Sequence, residues 1–285
     1  MSSFERRAGR LQIACLAFAV LGLALAFLAD SSLFALYTSA MARVYPFGDA
    51  ERDLWRWMAG PLGATIAGKW FLAWALARWG IARRRRWAHD ASIAGLVSWF
   101  VVDSAASIAR GAWFNVWMIN LVPLVVVGIA LALTRRGLHE EPVPPTRSRW
   151  QLVLDVACAA TILVGLAVAV SPSLLPPYQA EIEARFGDFD PGFERFLFGP
   201  LGGTVVGQAV LLLALSRRPI RAGEGWAFRA ALQSLLLWFV VDSVVSLANR
   251  AAFNVWMVNV PSLLALGIPL VVLRYRSNWS VAAQR

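Results

Sequence analysis

Long apolar segments recur along the chain and are separated by short polar stretches that are rich in arginine. A helix needs about 20 mostly apolar residues to cross the hydrocarbon core of a bilayer. Eight segments approach that length: 11–29, 61–79, 91–109, 114–133, 152–170, 200–216, 230–248 and 253–273. They are continuous runs, unlike the short alternating stretches of a transmembrane β-barrel. Because a spanning segment must satisfy its own backbone hydrogen bonds, the pattern predicts an all-α integral membrane protein with eight transmembrane helices.

The second half of the chain repeats the first half at a constant offset of 139 residues. The sequence WFVVDS at 99–104 recurs unchanged at 238–243, and FNVWMIN at 114–120 recurs at 253–259 with one substitution. The shorter motifs GPLG and FGD recur at the same offset. The chain therefore reads as two tandem four-helix repeats, residues 1–134 and 151–285, joined by a polar, proline-containing linker at 135–150.

The even number of predicted spans in each copy determines how the two copies are related. After four spans the chain returns to the side of the membrane from which it started. Both copies then enter the membrane in the same direction, so they form parallel repeats. We expect a pseudo-twofold axis along the membrane normal.

The charge distribution indicates a membrane surface rather than nucleic acid as the partner of this basic chain. Only 15% of the residues are charged, the net charge is +10, and 26 of the 27 basic residues are arginine. Nineteen of those arginines fall in one alternate set of loops, which also contains both termini; the run 83–86 is the densest. This bias predicts cytoplasmic termini. We expect a lipid bilayer as the partner, no nucleic acid, and the inner membrane of a bacterium as the location.

Two long segments, residues 30–59 and 171–198, are predicted to lie on the outer side. They combine acidic residues with aromatic ones, which is typical of amphipathic helices that lie in the membrane interface. Asp49 is expected to be the N-cap of such a helix. A re-entrant loop is the alternative for each segment. These segments are also where we expect a homodimer contact or a periplasmic partner.

Small residues spaced four apart line the second predicted span of each copy. The strips consist of Gly60, Ala64 and Gly68 in the first copy and of Gly199, Gly203 and Gly207 in the second. Such strips let helices approach closely in lipid. We expect tight packing inside the bundle, and a homodimer face is the alternative.

Acidic residues recur inside the predicted spans. The repeated clusters consist of Asp103, Ser107 and Asn120 in the first copy and of Asp242, Ser246 and Asn259 in the second. Ionisable groups at membrane depth are costly and are usually functional. The chain's one lysine, Lys69, lies at a similar depth to Asp103, and we expect the two to form an ion pair. Polar side chains that bind across helices also hold bundles together, so a structural role stays open beside proton or cation coupling and a site for a ligand or a lipid head group.

The sequence contains no familiar pattern for a cofactor, a metal or a catalytic triad. Its two histidines fall in predicted cytoplasmic loops, and its two cysteines fall in apolar segments without metal-ligand spacing. We therefore expect no cofactor and no metal, and an enzymatic role is disfavoured. The leading hypothesis is a small-solute or ion transporter or channel that uses the intramembrane Asp pair for proton or cation coupling. The alternative is a non-catalytic assembly or partner protein whose polar clusters are structural.

Overall fold

The computed structural model describes residues 2–142 and 148–282, and this part of the chain is helical almost throughout. Residues 143–147 of the predicted linker lie outside the described residues. The helices are α1 (Ser3–Leu28), α2 (Ala35–Met41), α3 (Asp49–Trp79), α4 (Arg86–Ala109), α5 (Trp113–Thr134), α6 (Arg149–Val170), α7 (Pro176–Phe186), α8 (Pro191–Ile220), α9 (Gly225–Ala248) and α10 (Ala252–Arg276). The long helices alternate in direction between a near end, where α1 begins, and a far end, where α1 finishes.

Within the described residues, seven helices are long and apolar enough to cross a membrane, namely α1, α4, α5, α6, α8, α9 and α10. The eighth predicted span, residues 61–79, lies in α3. That helix has 31 residues, which is about 46 Å at 1.5 Å per residue. It is less apolar than the others because it contains several charged side chains, including the buried Glu51 and Lys69.

Two helices, α3 and α8, form the centre of the bundle. They pack against each other; α1 and α9 also pack on α3, and α4 and α6 also pack on α8. Most side chains of α3 and α8 are therefore covered by protein. A helix with such neighbours can carry polar side chains, because protein rather than lipid surrounds it.

The two central helices begin well before the apolar segments that predicted them. Helix α3 starts at Asp49, and its cap is Gly48, whose N–H donates to Glu51 Oε2 at 3.0 Å. Asp49 is therefore the first residue of the helix, and its expected role as N-cap is wrong. In α8, Asp190 is the cap, and its Oδ1 accepts from the N–H of Phe193 at 2.7 Å.

These early starts overturn the interpretation of the outer aromatic residues as interfacial. The residues concerned are buried: Trp55, Trp57, Phe193, Phe196 and Phe198. They pack with Tyr37, Tyr45, Tyr178 and Phe186 in a layer of rings at the far end. The last parts of the two segments predicted to be interfacial belong to α3 and α8, and only the short helices α2 and α7 lie outside the long helices. The ring layer closes the far end of the bundle.

At the near end, the arginine run does more than face a lipid surface. Arg85 is half-buried and forms ion pairs with Glu141 at 3.0 Å and with Glu224 at 2.6 Å. The indole N–H groups of Trp87 and Trp226 donate to the same two carboxylates. This network connects the start of α4, the described part of the linker and the start of α9.

Candidate functional site

A chain of hydrogen bonds surrounds Asp103 near the far end of α4. Its Oδ1 accepts from Asn115 Nδ2 at 2.8 Å and from Ser107 Oγ at 3.2 Å. Asn115 Oδ1 in turn accepts from the hydroxyl of Tyr37 at 2.9 Å. The aspartate, the serine and the asparagine are each at most 2% exposed. Three separate elements, α2, α4 and α5, therefore meet at one buried carboxylate.

The second half contains the same arrangement around Asp242. Its Oδ1 accepts from Asn254 Nδ2 at 2.7 Å and from Ser246 Oγ at 2.9 Å. The hydroxyl of Tyr178 donates to Asn254 Oδ1 at 2.7 Å. Here Ser246 accepts one further hydrogen bond, from Trp57 Nε1 at 3.2 Å. The indole comes from α3, so this cluster also ties the two halves of the chain together.

Burial favours the protonated form of the two tyrosine hydroxyls, which donate to the asparagines. It raises the pKa of Tyr37 well above its usual value, and the nearby Asp103 adds to the effect. The pKa of Tyr178 is raised for the same two reasons, with Asp242 as the neighbouring acid. Both hydroxyls therefore stay protonated and act as donors. Each asparagine then accepts from a tyrosine and donates to an aspartate.

A π-helical segment orients the asparagines in each half. It spans Val116–Asn120 in α5 and Val255–Asn259 in α10. In an α-helix, residues five apart point about 140° away from each other. The wider π turn brings such residues toward one face, and π segments are frequent at functional sites. Asn115 and Asn120 consequently both face α4.

The predicted partner Asn120 occupies a neighbouring position in this network. It lies beside the Asp103 carboxylate, and its Nδ2 donates to Ser104 Oγ at 3.1 Å. Asn259 does the same beside Asp242, with Ser243 as the acceptor at 3.1 Å. The Oδ1 atoms of both asparagines are buried and have no hydrogen-bond partner within the described residues.

Lys69 does not form the expected ion pair with Asp103. Its Nζ lies over the indole rings of Trp99 and Trp70, at 3.5 and 4.2 Å from their centroids. The side chain is 2% exposed, and Nζ has no hydrogen-bond partner in the part of the chain that the structure describes. Cation–π contacts of this kind stabilise a desolvated ammonium group. They use the ring faces and leave the N–H groups of the ammonium without an acceptor.

The small-residue strip of α8 packs against α4. A Cβ atom at Gly203 would lie 2.8 Å from the Cβ of Asp103, and one at Gly199 would lie 2.9 Å from the Cβ of Ala106. A Cβ at Gly207 would lie 2.8 Å from the Cβ of Trp99. This face of α8 is occupied by α4 inside the bundle. It thus sets the position of both Asp103 and one of the rings that hold Lys69.

The corresponding strip of α3 packs against α9 and α8. A Cβ at Gly60 would overlap the side chain of Val245, and one at Gly68 would lie 2.7 Å from Gln208 Nε2. Ala64 is fully buried. Both strips are therefore covered within a single copy of the chain.

A cavity of about 100 Å³ lies beside Asp103 in the first half. Tyr37, Trp55, Lys69, Asp103 and Asn115 all line it. The indole Nε1 of Trp55, which is 1% exposed, is a second buried donor without a partner among the described residues. The cavity therefore gathers a carboxyl group, a lysine amino group and an unpaired N–H.

The two halves differ where the cavity lies. Gln208 replaces Lys69 in the second half, and its Nε2 donates to Ser234 Oγ at 3.1 Å, so a neutral amide takes the place of the lysine there. Phe196 occupies the position that corresponds to Trp57, and Glu194 the position that corresponds to Trp55. The hydrogen-bonded clusters around the two aspartates are alike, but only the first has a lysine beside it.

Several contributors were not predicted from the sequence. Asn115 and Asn254 lie in the repeated FNVWM motif, so the repeat itself was a usable signal for them. Tyr37 and Tyr178 are 141 residues apart, and the two-residue difference from the common offset hides their correspondence. Trp55 has no signal in the sequence beyond its aromatic character.

No family model matches the sequence, no curated protein aligns with it, and no solved structure has a matching fold. Function is therefore inferred from the side chains themselves.

Proposed function

We propose that the protein crosses the membrane eight times, with α3 as the eighth span, as two four-helix repeats around a pseudo-twofold axis. Contacts between equivalent positions support this architecture, since such positions meet only near a twofold axis. Glu51 Oε1 accepts from the N–H of Asp190 at 2.9 Å, and Arg85 pairs with Glu224. Both pairs are 139 residues apart, one at each end of the bundle.

The packing of the two small-residue strips supports the same axis. Gly60 meets Val245, and Gly199 meets Ala106. Gly60 and Gly199 are equivalent positions in the two halves, and so are Ala106 and Val245. The two contacts are therefore the same contact made once by each half. The axis would then run between α3 and α8, which pack against each other. The arginine-rich near end is the cytoplasmic side in this proposal, and the location is a bacterial inner membrane.

Within this architecture the protein acts as a transporter for a small solute, and the cavity of the first half is the solute site. One observation carries this proposal: Lys69 and Asp103, two buried groups of opposite charge, line the same cavity without bonding to each other. Buried charged groups are expensive to maintain in a membrane and mark solute or proton pathways. A merely structural pair would be expected to bond directly.

Asp103 is the proton-active group in this proposal. The titratable groups near it on neighbouring helices are Lys69 on α3 and Tyr37 on α2, while Gly203 of α8 packs against it. Cys15 on α1 lies near Lys69. With Asp103 ionised, the cavity carries one charge of each sign. With Asp103 protonated, the ammonium group alone remains, and the cavity attracts an anion.

Asp242 serves mainly to hold the bundle together. Its cluster has the same hydrogen bonds, with the additional donor from Trp57, and the neighbouring Gln208 is neutral and bonded. The structural alternative that the sequence left open is thus assigned to the second half. This division predicts that the two aspartates respond differently to the same substitution.

An infrared pH titration of the purified protein in lipid tests the proposal. We expect a titrating carboxyl signal that disappears in Asp103→Asn and persists in Asp242→Asn. The midpoint of that signal should move in Lys69→Gln, because a charge close to the acid is removed. It should not move in Arg43→Gln, which removes the same charge from an exposed site. A signal unaffected by Asp103→Asn would refute the assignment and leave both clusters structural.

A further inference from the structure

We infer that the solute bound in the first-half cavity is an amphipathic anion, with a carboxylate or phosphate head group and an apolar tail, that enters sideways from the lipid. This inference rests on the proposed function, because it takes the same cavity as the solute site. It adds the chemical class of the solute and its route of entry.

The donors inside the cavity determine the head group. Lys69 Nζ and Trp55 Nε1 belong to side chains that are 2% and 1% exposed, and neither atom has a hydrogen-bond partner in the described structure. Buried donors without acceptors are costly and rare. Two of them on one cavity create a demand for oxygen acceptors, and the ammonium group adds a demand for negative charge. A carboxylate or phosphate meets both demands with charge-assisted hydrogen bonds.

The same groups disfavour a cationic head group when Asp103 is protonated. An ammonium or guanidinium ligand would face Lys69 at short range and would leave the indole N–H of Trp55 without an acceptor. Oδ1 of the Asp103 carboxylate already accepts from Asn115 and Ser107. This carboxylate oxygen is thus used by the protein itself, whereas the donors Lys69 Nζ and Trp55 Nε1 are not.

The edge of the cavity determines the tail and the route. Leu21 on α1 and Val122 on α5 line the cavity and are 43% and 48% exposed on the flank of the bundle. Phe18, Met118 and Ile119 continue the apolar lining between them. The opening therefore faces the region that hydrocarbon chains occupy around a membrane-spanning bundle. A ligand that passes this edge must have an apolar part.

The size of the cavity limits what enters it. Its volume of about 100 Å³ corresponds to roughly three water molecules at about 30 Å³ each. That space admits an anionic head and the first carbons of a chain, and the remaining tail stays between α1 and α5 in the lipid. A whole two-chain lipid does not fit inside.

Three probes with one tail and different heads test the inference. Dodecyl phosphate, dodecyl trimethylammonium and dodecanol are titrated into the protein in nanodiscs of zwitterionic lipid, and bound ligand is counted by native mass spectrometry. We expect one dodecyl phosphate per chain, bound at least about 10-fold more tightly than either other probe, since hydrogen bonds to charged groups contribute about 1.5–3 kcal/mol. Equal retention of the three probes, or none, overturns the inference.

Matched variants locate the site. Lys69→Gln introduces the residue that the second half has at the equivalent position, Gln208. This variant should abolish the preference for phosphate, whereas the control Arg43→Gln should not. Met118→Trp fills the edge of the cavity and should weaken binding, while Met257→Trp, at the corresponding position of the other half, should not. Binding that is unchanged in both Lys69→Gln and Met118→Trp overturns the inference.

A competition experiment separates a membrane ligand from a water-soluble one. Excess inorganic phosphate should not displace dodecyl phosphate; displacement would show a site for small aqueous anions and overturn the lipid route. The outcome is also separable from the proposed function. A titrating Asp103 without a preference for phosphate refutes only this inference. Selective binding with a silent Asp103 supports the ligand class and refutes only the proton role.

Discussion

The substitution Gly203→Ala should force α4 and α8 apart. A Cβ atom there would lie 2.8 Å from both the Cβ and the backbone N of Asp103, and 3.0 Å from its Cα, whereas ordinary contacts begin at 3.4 Å. The shortfall is about 0.6 Å, and it involves backbone atoms that cannot rotate away. Overpacking of this kind costs about 1–3 kcal/mol.

Helix propensity acts in the opposite direction, so a matched control is needed. Alanine favours a helix over glycine by up to about 1 kcal/mol. Gly128 lies in α5, and a Cβ atom there meets nothing within 4 Å. The difference between Gly203→Ala and Gly128→Ala therefore isolates the packing cost. We expect Gly203→Ala to be less stable than Gly128→Ala by about 1–3 kcal/mol.

Equilibrium unfolding in mixed micelles of dodecyl maltoside and sodium dodecyl sulfate, followed by tryptophan fluorescence, measures this difference. The infrared signal of Asp103 should also change in Gly203→Ala and not in Gly128→Ala, because only the first moves α4. Equal stability of the two variants would refute the close packing of α8 on Asp103.

Four further substitutions test hydrogen bonds and ion pairs elsewhere in the bundle. Tyr37→Phe and Tyr178→Phe each leave a buried asparagine oxygen without its donor, so each should cost about 1–3 kcal/mol in the same unfolding assay. A cost in one half only would contradict the equivalence of the two clusters. Arg110 donates to the carbonyl oxygens of the last turn of α6, so Arg110→Gln should cost about 1 kcal/mol and speed hydrogen exchange in that turn. Unchanged exchange there would show that the contact contributes nothing. Arg85→Gln breaks the half-buried pair with Glu224 and should cost about 1–2 kcal/mol, between the values for exposed and buried pairs. High salt should lower the stability of the wild type toward that of Arg85→Gln, since screening weakens the same interaction.

The sequence predicts the long helices well and their ends poorly. Apolar length suffices to find the helices that face lipid, because lipid admits few polar residues. It does not suffice for α3 and α8, which begin at Asp49 and Pro191 rather than at residues 61 and 200. Protein surrounds these two helices, so charged and aromatic residues are tolerated in their first turns. Only the tertiary packing reveals this.

The candidate site is predictable where it depends on spacing along one helix and not where it depends on rotation. Ser107 follows Asp103 by four residues, and this spacing predicts that the two share a helix face. Spacing does not predict Asn115, because a π segment changes which residues share a face. The pairing of Lys69 with Asp103 was inferred from depth alone. The lysine points instead to the rings of Trp70 and Trp99, a choice that depends on how the helices are turned.

The crossed packing of the central helices has a consequence for biogenesis. Helix α4 finds its main neighbour in α8, and α3 finds one of its own in α9, so neither helix is complete until the second half has been synthesised. A nascent chain that stops at the linker would contain a charged, marginally apolar α3 with part of its surface uncovered. Insertion of the first half and its final assembly are therefore separate events in time. Two fragments divided at the linker should accumulate only when they are produced in the same cell.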